Sequence, residues 1–103
     1  MQLPKMVRLR QQFERPRVED IPGTIRSQLE RLKLGNTIKA GQTVALTAGS
    51  RGIANIPVVL RTVVEHLKGL GAKPYLVPTM GSHGGGTAEG QREVLESYGI
   101  TEA

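Results

Sequence analysis

Residues 43–79 read "TVALTAGSRGIANIPVVLRTVVEHLKGLGAKPYLVPT". The stretch begins with a short β-favouring apolar run, 43–48, and closes with another, 74–79. Between them Ile56, Val59, Leu60, Val63, Val64, Leu67 and Leu70 recur at the spacing of one helix face. Asn55 stands where an N-cap belongs, Pro57 falls in the first turn, and Gly71 supplies a stop. The spacing predicts a helix over 55–70 between two strands. Such a unit makes a crossover between parallel strands. Both strand-to-helix loops, Gly49–Ala54 and Met80–Gly86, then leave from the carboxyl edge of one sheet, the edge where open α/β sheets bind ligands.

Working outward, Thr87 is a good cap for a helix over 87–98, and Gly99 is its stop. On the other side Asp20 caps a helix over 21–34, with Pro22 in its first turn and Gly35 as its stop. Ile25, Leu29 and Leu32 form the apolar stripe of that helix. Residues 5–13, "KMVRLRQQF", alternate apolar and polar at Val7, Leu9 and, less cleanly, Phe13, which predicts a half-buried strand. The expected fold class is α/β: an open, mostly parallel sheet with a βαβα unit, belonging to a larger doubly wound domain. Residues 1–103 read as a single N-terminal cofactor-cleft domain, incomplete at its C-terminal end.

Composition narrows the function classes. There is one Phe, there are two Tyr, and there is no Trp, so the core must be aliphatic. No cysteine is present, which excludes a disulfide framework and a thiolate metal site, and fits a cytoplasmic protein. No apolar run approaches the roughly 18 residues a membrane span needs. The net charge of +5 is concentrated early. Lys5, Arg8, Arg10, Arg15 and Arg17 precede the first helix, with Arg26, Arg31, Lys33 and Lys39 in and after it. A basic surface attracts phosphates, but no aromatic residues are interleaved for stacking on bases, which argues against nucleic acid as a partner.

The loop after the second run, "PTMGSHGGGT" at 78–87, places His83 among four glycines. Two phosphate-binding fingerprints nearly fit it and fail. Thr87 stands where a P-loop needs lysine, and Glu89 where a dinucleotide motif needs its third glycine. The physics outlasts the motifs. Gly81, Gly84 and Gly85 let the backbone approach a ligand closely, and the amides around Thr87 at a helix start favour a phosphate or carboxylate. His83 beside such an anion suits proton transfer. In the first loop Arg51 is a planar fork for a carboxylate or phosphate, and Ser50 and Ser82 are candidate hydrogen-bond donors to the same ligand. Arg51 and His83 are expected to face one another across one crevice. His66 reads as structural, near a helix C-terminus, and with two separated histidines no metal site is expected.

The stretches "VALTAGSRGIANIP" and "GAKPYLVPTMGSHGGGTAEGQREVLESYGIT" resemble the N-terminal domain of the lactate racemase-like family, over about residues 40–103. Arg51 matches that family's loop arginine and Gly81-x-His83 its second motif. The resemblance implies a nickel-pincer nucleotide cofactor in the full-length protein and a 2-hydroxy acid as substrate. It gives Arg51 a part in holding the cofactor or the substrate carboxylate, and makes His83 one of two acid/base histidines in a racemase or epimerase. The family's cofactor-attaching lysine, nickel-ligating histidine and second catalytic histidine come from later sequence. The chain alone is therefore expected to be inactive and to bind no cofactor, with the remainder of its own chain as a partner and a homo-oligomer compatible with the reading. Two departures mark a divergent branch. No aspartate accompanies Arg51 in 47–51, and Gly84 stands where arginine often follows the histidine. A different class of function remains open beside this one, a non-catalytic module binding a phosphorylated ligand or nucleic acid.

Overall fold

The computed structural model describes residues 1–49 and 53–101. Among them run α1 (Ile21–Arg31), β1 (Thr43–Ala48), α2 (Ile56–Gly69), β2 (Lys73–Pro78) and α3 (Ala88–Ser97), with short 3₁₀ turns at Leu34–Asn36 and His83–Gly86. β1 and β2 pair in parallel, from Thr43 opposite Lys73 to Ala48 opposite Pro78, as a two-stranded sheet. The protein is thus a small α/β fold with an open parallel sheet.

The alternation that makes the strands also decides what they bury. Val44, Leu46 and Ala48 point inward, while Thr43, Ala45 and Thr47 are exposed. The core joins Ala48 of β1, Leu60 of α2, Met80 after β2 and Leu95 of α3, with Ile56, Leu76, Val94 and Ile100 packed around it. It therefore lies against the carboxyl half of the sheet, at the end from which β2 runs into the glycine loop. On α2, the stripe read from the sequence reaches full burial at Leu60 and Leu67. Thr62 is buried as well, and its hydroxyl donates to the Val58 carbonyl at 2.8 Å, which satisfies it within the helix. α1 packs on α2 with no fully buried residue of its own.

The helix ends explain the boundaries. α2 and α3 close in the same way. Gly71 (φ 84°) and Gly99 (φ 83°) take the left-handed conformation, and the next residue, Ala72 or Ile100, donates back to Leu67 or Leu95. Gly71 is needed twice over, because a Cβ there would also crowd Ala40 at 2.9 Å. Asp20 caps α1 as expected, accepting from the Gly23 amide at 3.0 Å.

Four expectations are corrected. Residues 5–13 form no strand: everything from 1 to 20 lies outside helix and strand with its side chains exposed, and the segment pairs with neither β1 nor β2. α1 ends at Arg31 instead of 34, because Lys33 turns left-handed (φ 48°) two residues before Gly35, and this leaves Leu32 65% exposed. Asn55 occupies the N-cap position of α2 in a left-handed conformation and makes no side-chain cap bond. The other boundaries, 56–69, 73–78 and 88–97, differ from expectation by one residue.

Replacing Leu95 by alanine removes one wall of a four-residue core. It should cost about 2–5 kcal/mol, read as a lower urea midpoint at unchanged slope. Gly71→Ala should cost upwards of about 1 kcal/mol, because both its φ and its neighbour oppose a side chain.

Candidate functional site

The floor of the site is the carboxyl end of the sheet. Both the amide and the hydroxyl of Thr79 donate to the Ala48 carbonyl, at 2.8 and 3.2 Å, so the exit of β2 is tied to the end of β1. The chain then drops Met80 into the core, 5% exposed, before the glycine loop begins. The loop is therefore anchored at its first residue by hydrophobic burial.

From there the path is unusual for an L-amino-acid chain. Gly81, Gly84, Gly85 and Gly86 all have positive φ, between 61° and 70°. Three consecutive left-handed residues would cost roughly 1–2 kcal/mol each with side chains attached, so glycine is required by conformation alone. The four positions differ in their surroundings. A Cβ on Gly84 would strike the Gly90 backbone of α3, and a Cβ on Gly90 would strike the Gly84 carbonyl. A Cβ on Gly81, Gly85 or Gly86 would meet nothing within 4 Å. Gly84 is thus a packing contact, whereas the other three line open space.

Hydrogen bonds hold this shape. The Gln91 side-chain amide donates to the Gly81 carbonyl at 2.9 Å. The Thr87 hydroxyl donates to the Gly84 carbonyl at 3.2 Å and accepts from the Gly90 amide at 3.1 Å, capping α3 as the sequence indicated. His83 is half-buried, and its amide donates to the Met80 carbonyl at 3.2 Å. Ser82 is right-handed (φ −87°, ψ −5°) and the run from Gly84 to Gly86 is left-handed, so the loop changes hand once, across His83.

Of the sequence-read site residues, Gly81, Ser82, His83, Gly84, Gly85 and Thr87 share this one loop and helix start. Ser50 and Arg51 lie outside the described residues, and with them the expectation that Arg51 faces His83. Gly84, expected beside a ligand, also seats α3. Met80, Gly90 and Gln91 were not singled out from the sequence. Gly90 had a signal: it stands three residues after its cap, as Gly23 does after Asp20, and in both helices the capping side chain accepts from that glycine's amide.

Elsewhere, a shallow groove of about 380 Å³ between α1 and α2 is lined by Arg26, Glu30, Glu65, His66, Gly69 and Leu70. Arg26 and Glu65 approach to 3.8 Å there, both more than half exposed, a contact worth little in water. Glu96 pairs with Arg92 at 3.3 Å along α3, as a solvated helix face does. Among the described residues no three His, Cys, Asp or Glu gather to hold a metal, and no helix is long and apolar enough to cross a membrane.

No family model, curated protein or solved structure matches this chain. The site rests on its own residues.

Thr87→Val removes both hydroxyl bonds and should lower stability by about 1 kcal/mol while speeding hydrogen exchange at the Gly90 amide; Thr87→Ser should preserve both.

Proposed function

We propose that this chain forms the N-terminal, cofactor-facing part of a 2-hydroxy-acid racemase or epimerase of the lactate racemase-like kind. The observation that carries the reading is the setting of His83. A half-buried imidazole sits on a loop anchored by Met80, seated against Gly90, and lying at the carboxyl edge of a parallel sheet. A loop held at both ends can present one titratable side chain in a constant place, which general acid/base work demands.

The donor set here suits the phosphate of a nickel-pincer nucleotide and does not suit its metal. The start of α3 at Thr87 would favour an anion, with open room beside it at Gly81, Gly85 and Gly86. The Ser82 hydroxyl adds a neutral donor beside them. By the resemblance, the metal's ligands would come from later sequence. When bound, the cofactor supplies a reversible hydride acceptor. The part of this chain is to hold the anion and to take and return the proton of the substrate hydroxyl at the His83 imidazole. Arg51, by the same resemblance, would help hold the cofactor or the substrate carboxylate.

The test uses the protein at its natural length, produced together with the enzymes that make the cofactor, against a panel of 2-hydroxy acids. Interconversion of stereoisomers is expected, and His83→Ala should reduce turnover by about 10²–10⁴-fold. Unchanged turnover in that variant would remove the role given to His83. A loaded protein that inverts no 2-hydroxy acid would remove the reaction class.

A further inference from the structure

Two unpartnered features of this chain fit one another. The first is the N-terminal arm. Residues 1–20 are exposed throughout, and Leu3, Met6, Val7, Leu9 and Phe13 are each at least 70% exposed. The arm carries the chain's radius of gyration to 19.5 Å, against roughly 13 Å for a compact domain of about 100 residues. Its side chains nevertheless alternate. Val7, Leu9 and Phe13 share one face of an extended strand with Gln11, and Arg8 and Arg10 share the other. Such a segment is patterned for a sheet edge that it does not meet here.

The second feature is the outer edge of β1. The two edges of the sheet are not alike, and the ladder shows why. The amides of Lys73 and Thr79 donate to Gln42 and Ala48, so residues 73, 75, 77 and 79 direct their backbone groups toward β1. Residues 74, 76 and 78 therefore face away from it, and two of these are Pro74 and Pro78, which carry no N–H. The outer edge of β2 is blunted against further pairing. On β1 the same alternation turns Thr43, Ala45 and Thr47 outward, all with N–H and C=O groups able to continue a ladder.

We propose that the arm of a second copy of this chain, residues 5–13, adds as a strand to the outer edge of β1, with reciprocal exchange giving a two-fold dimer. The face assignment is determined by pattern. Val7, Leu9 and Phe13 join Val44 and Leu46 on the helix-covered side, and Arg8 and Arg10 join exposed Thr43, Ala45 and Thr47 on the solvent side. A slip of one residue would put the arginines against the core, which pins the register. Reciprocity uses both arms and both open edges, as a closed two-fold assembly requires, and main-chain ladders with alternate side-chain contacts are a common mode of strand addition.

The experiment uses the 103-residue chain. Sedimentation over a wide concentration range should show a monomer–dimer equilibrium. In a mixture of nitrogen-labelled and carbon-labelled copies, filtered NMR contacts should connect residues 5–13 of one copy to residues 43–47 of the other. Leu9→Lys should weaken self-association by about tenfold or more with the thermal melt of the monomer unchanged, because Leu9 is 83% exposed there. Ala45→Pro should do the same from the other side, since the Ala45 amide points away from β2. A chain that stays monomeric throughout, arm contacts arising within one copy, or a dimer indifferent to Leu9→Lys would each overturn the proposal.

Discussion

The structure depends on a contact among four side chains drawn from four places: Ala48 from β1, Leu60 from α2, Met80 from the loop after β2 and Leu95 from α3. No large side chain in the described residues is completely buried, so this small cluster is the main organising constraint. Its position matters more than its size. It sits at the carboxyl end of the sheet, where β2 runs into the glycine loop, so the packing that holds the fold also holds the floor of the candidate site. Met80 links the two directly, since the same residue is core and the start of the glycine loop.

The glycine loop satisfies two demands that are easily confused. A left-handed path over Gly84, Gly85 and Gly86 needs glycine whatever the surroundings. Only Gly84 is glycine for packing as well, because the backbone of Gly90 lies against it. The room that a ligand would use is at Gly81, Gly85 and Gly86, and it opens because the Thr87 and Gln91 side chains hold the loop carbonyls toward α3. His83 is thereby carried by a shape that α3 imposes, so the first turns of that helix belong to the site as much as the loop does.

The asymmetry of the sheet edges has the same character. Pro74 and Pro78 look unremarkable in a short strand, yet their spacing puts both on the edge away from β1. A chain that closes one edge and leaves the other open has a direction in which its sheet can grow. The exposed alternation of residues 5–13 is what such an edge would accept.

The amino-acid sequence by itself determined the βαβα order, the strand at 43–48, the caps at Asp20 and Thr87, and the stops at Gly71 and Gly99. These are local properties: apolar period, cap chemistry and left-handed glycines act within a few residues. It also marked the loop around His83, because glycine density is visible without coordinates. Tertiary structure alone decided the rest. Residues 5–13 have the pattern of a strand, but a strand exists only where another strand supplies its hydrogen bonds. Lys33 ends α1 early, in a conformation that non-glycine residues seldom adopt and that no composition signals. The joining of Met80 to the core, and of Gly84 to Gly90, arises between segments distant along the chain or across a turn. Such contacts depend on where folding brings two backbones together, and the order of residues does not state that distance.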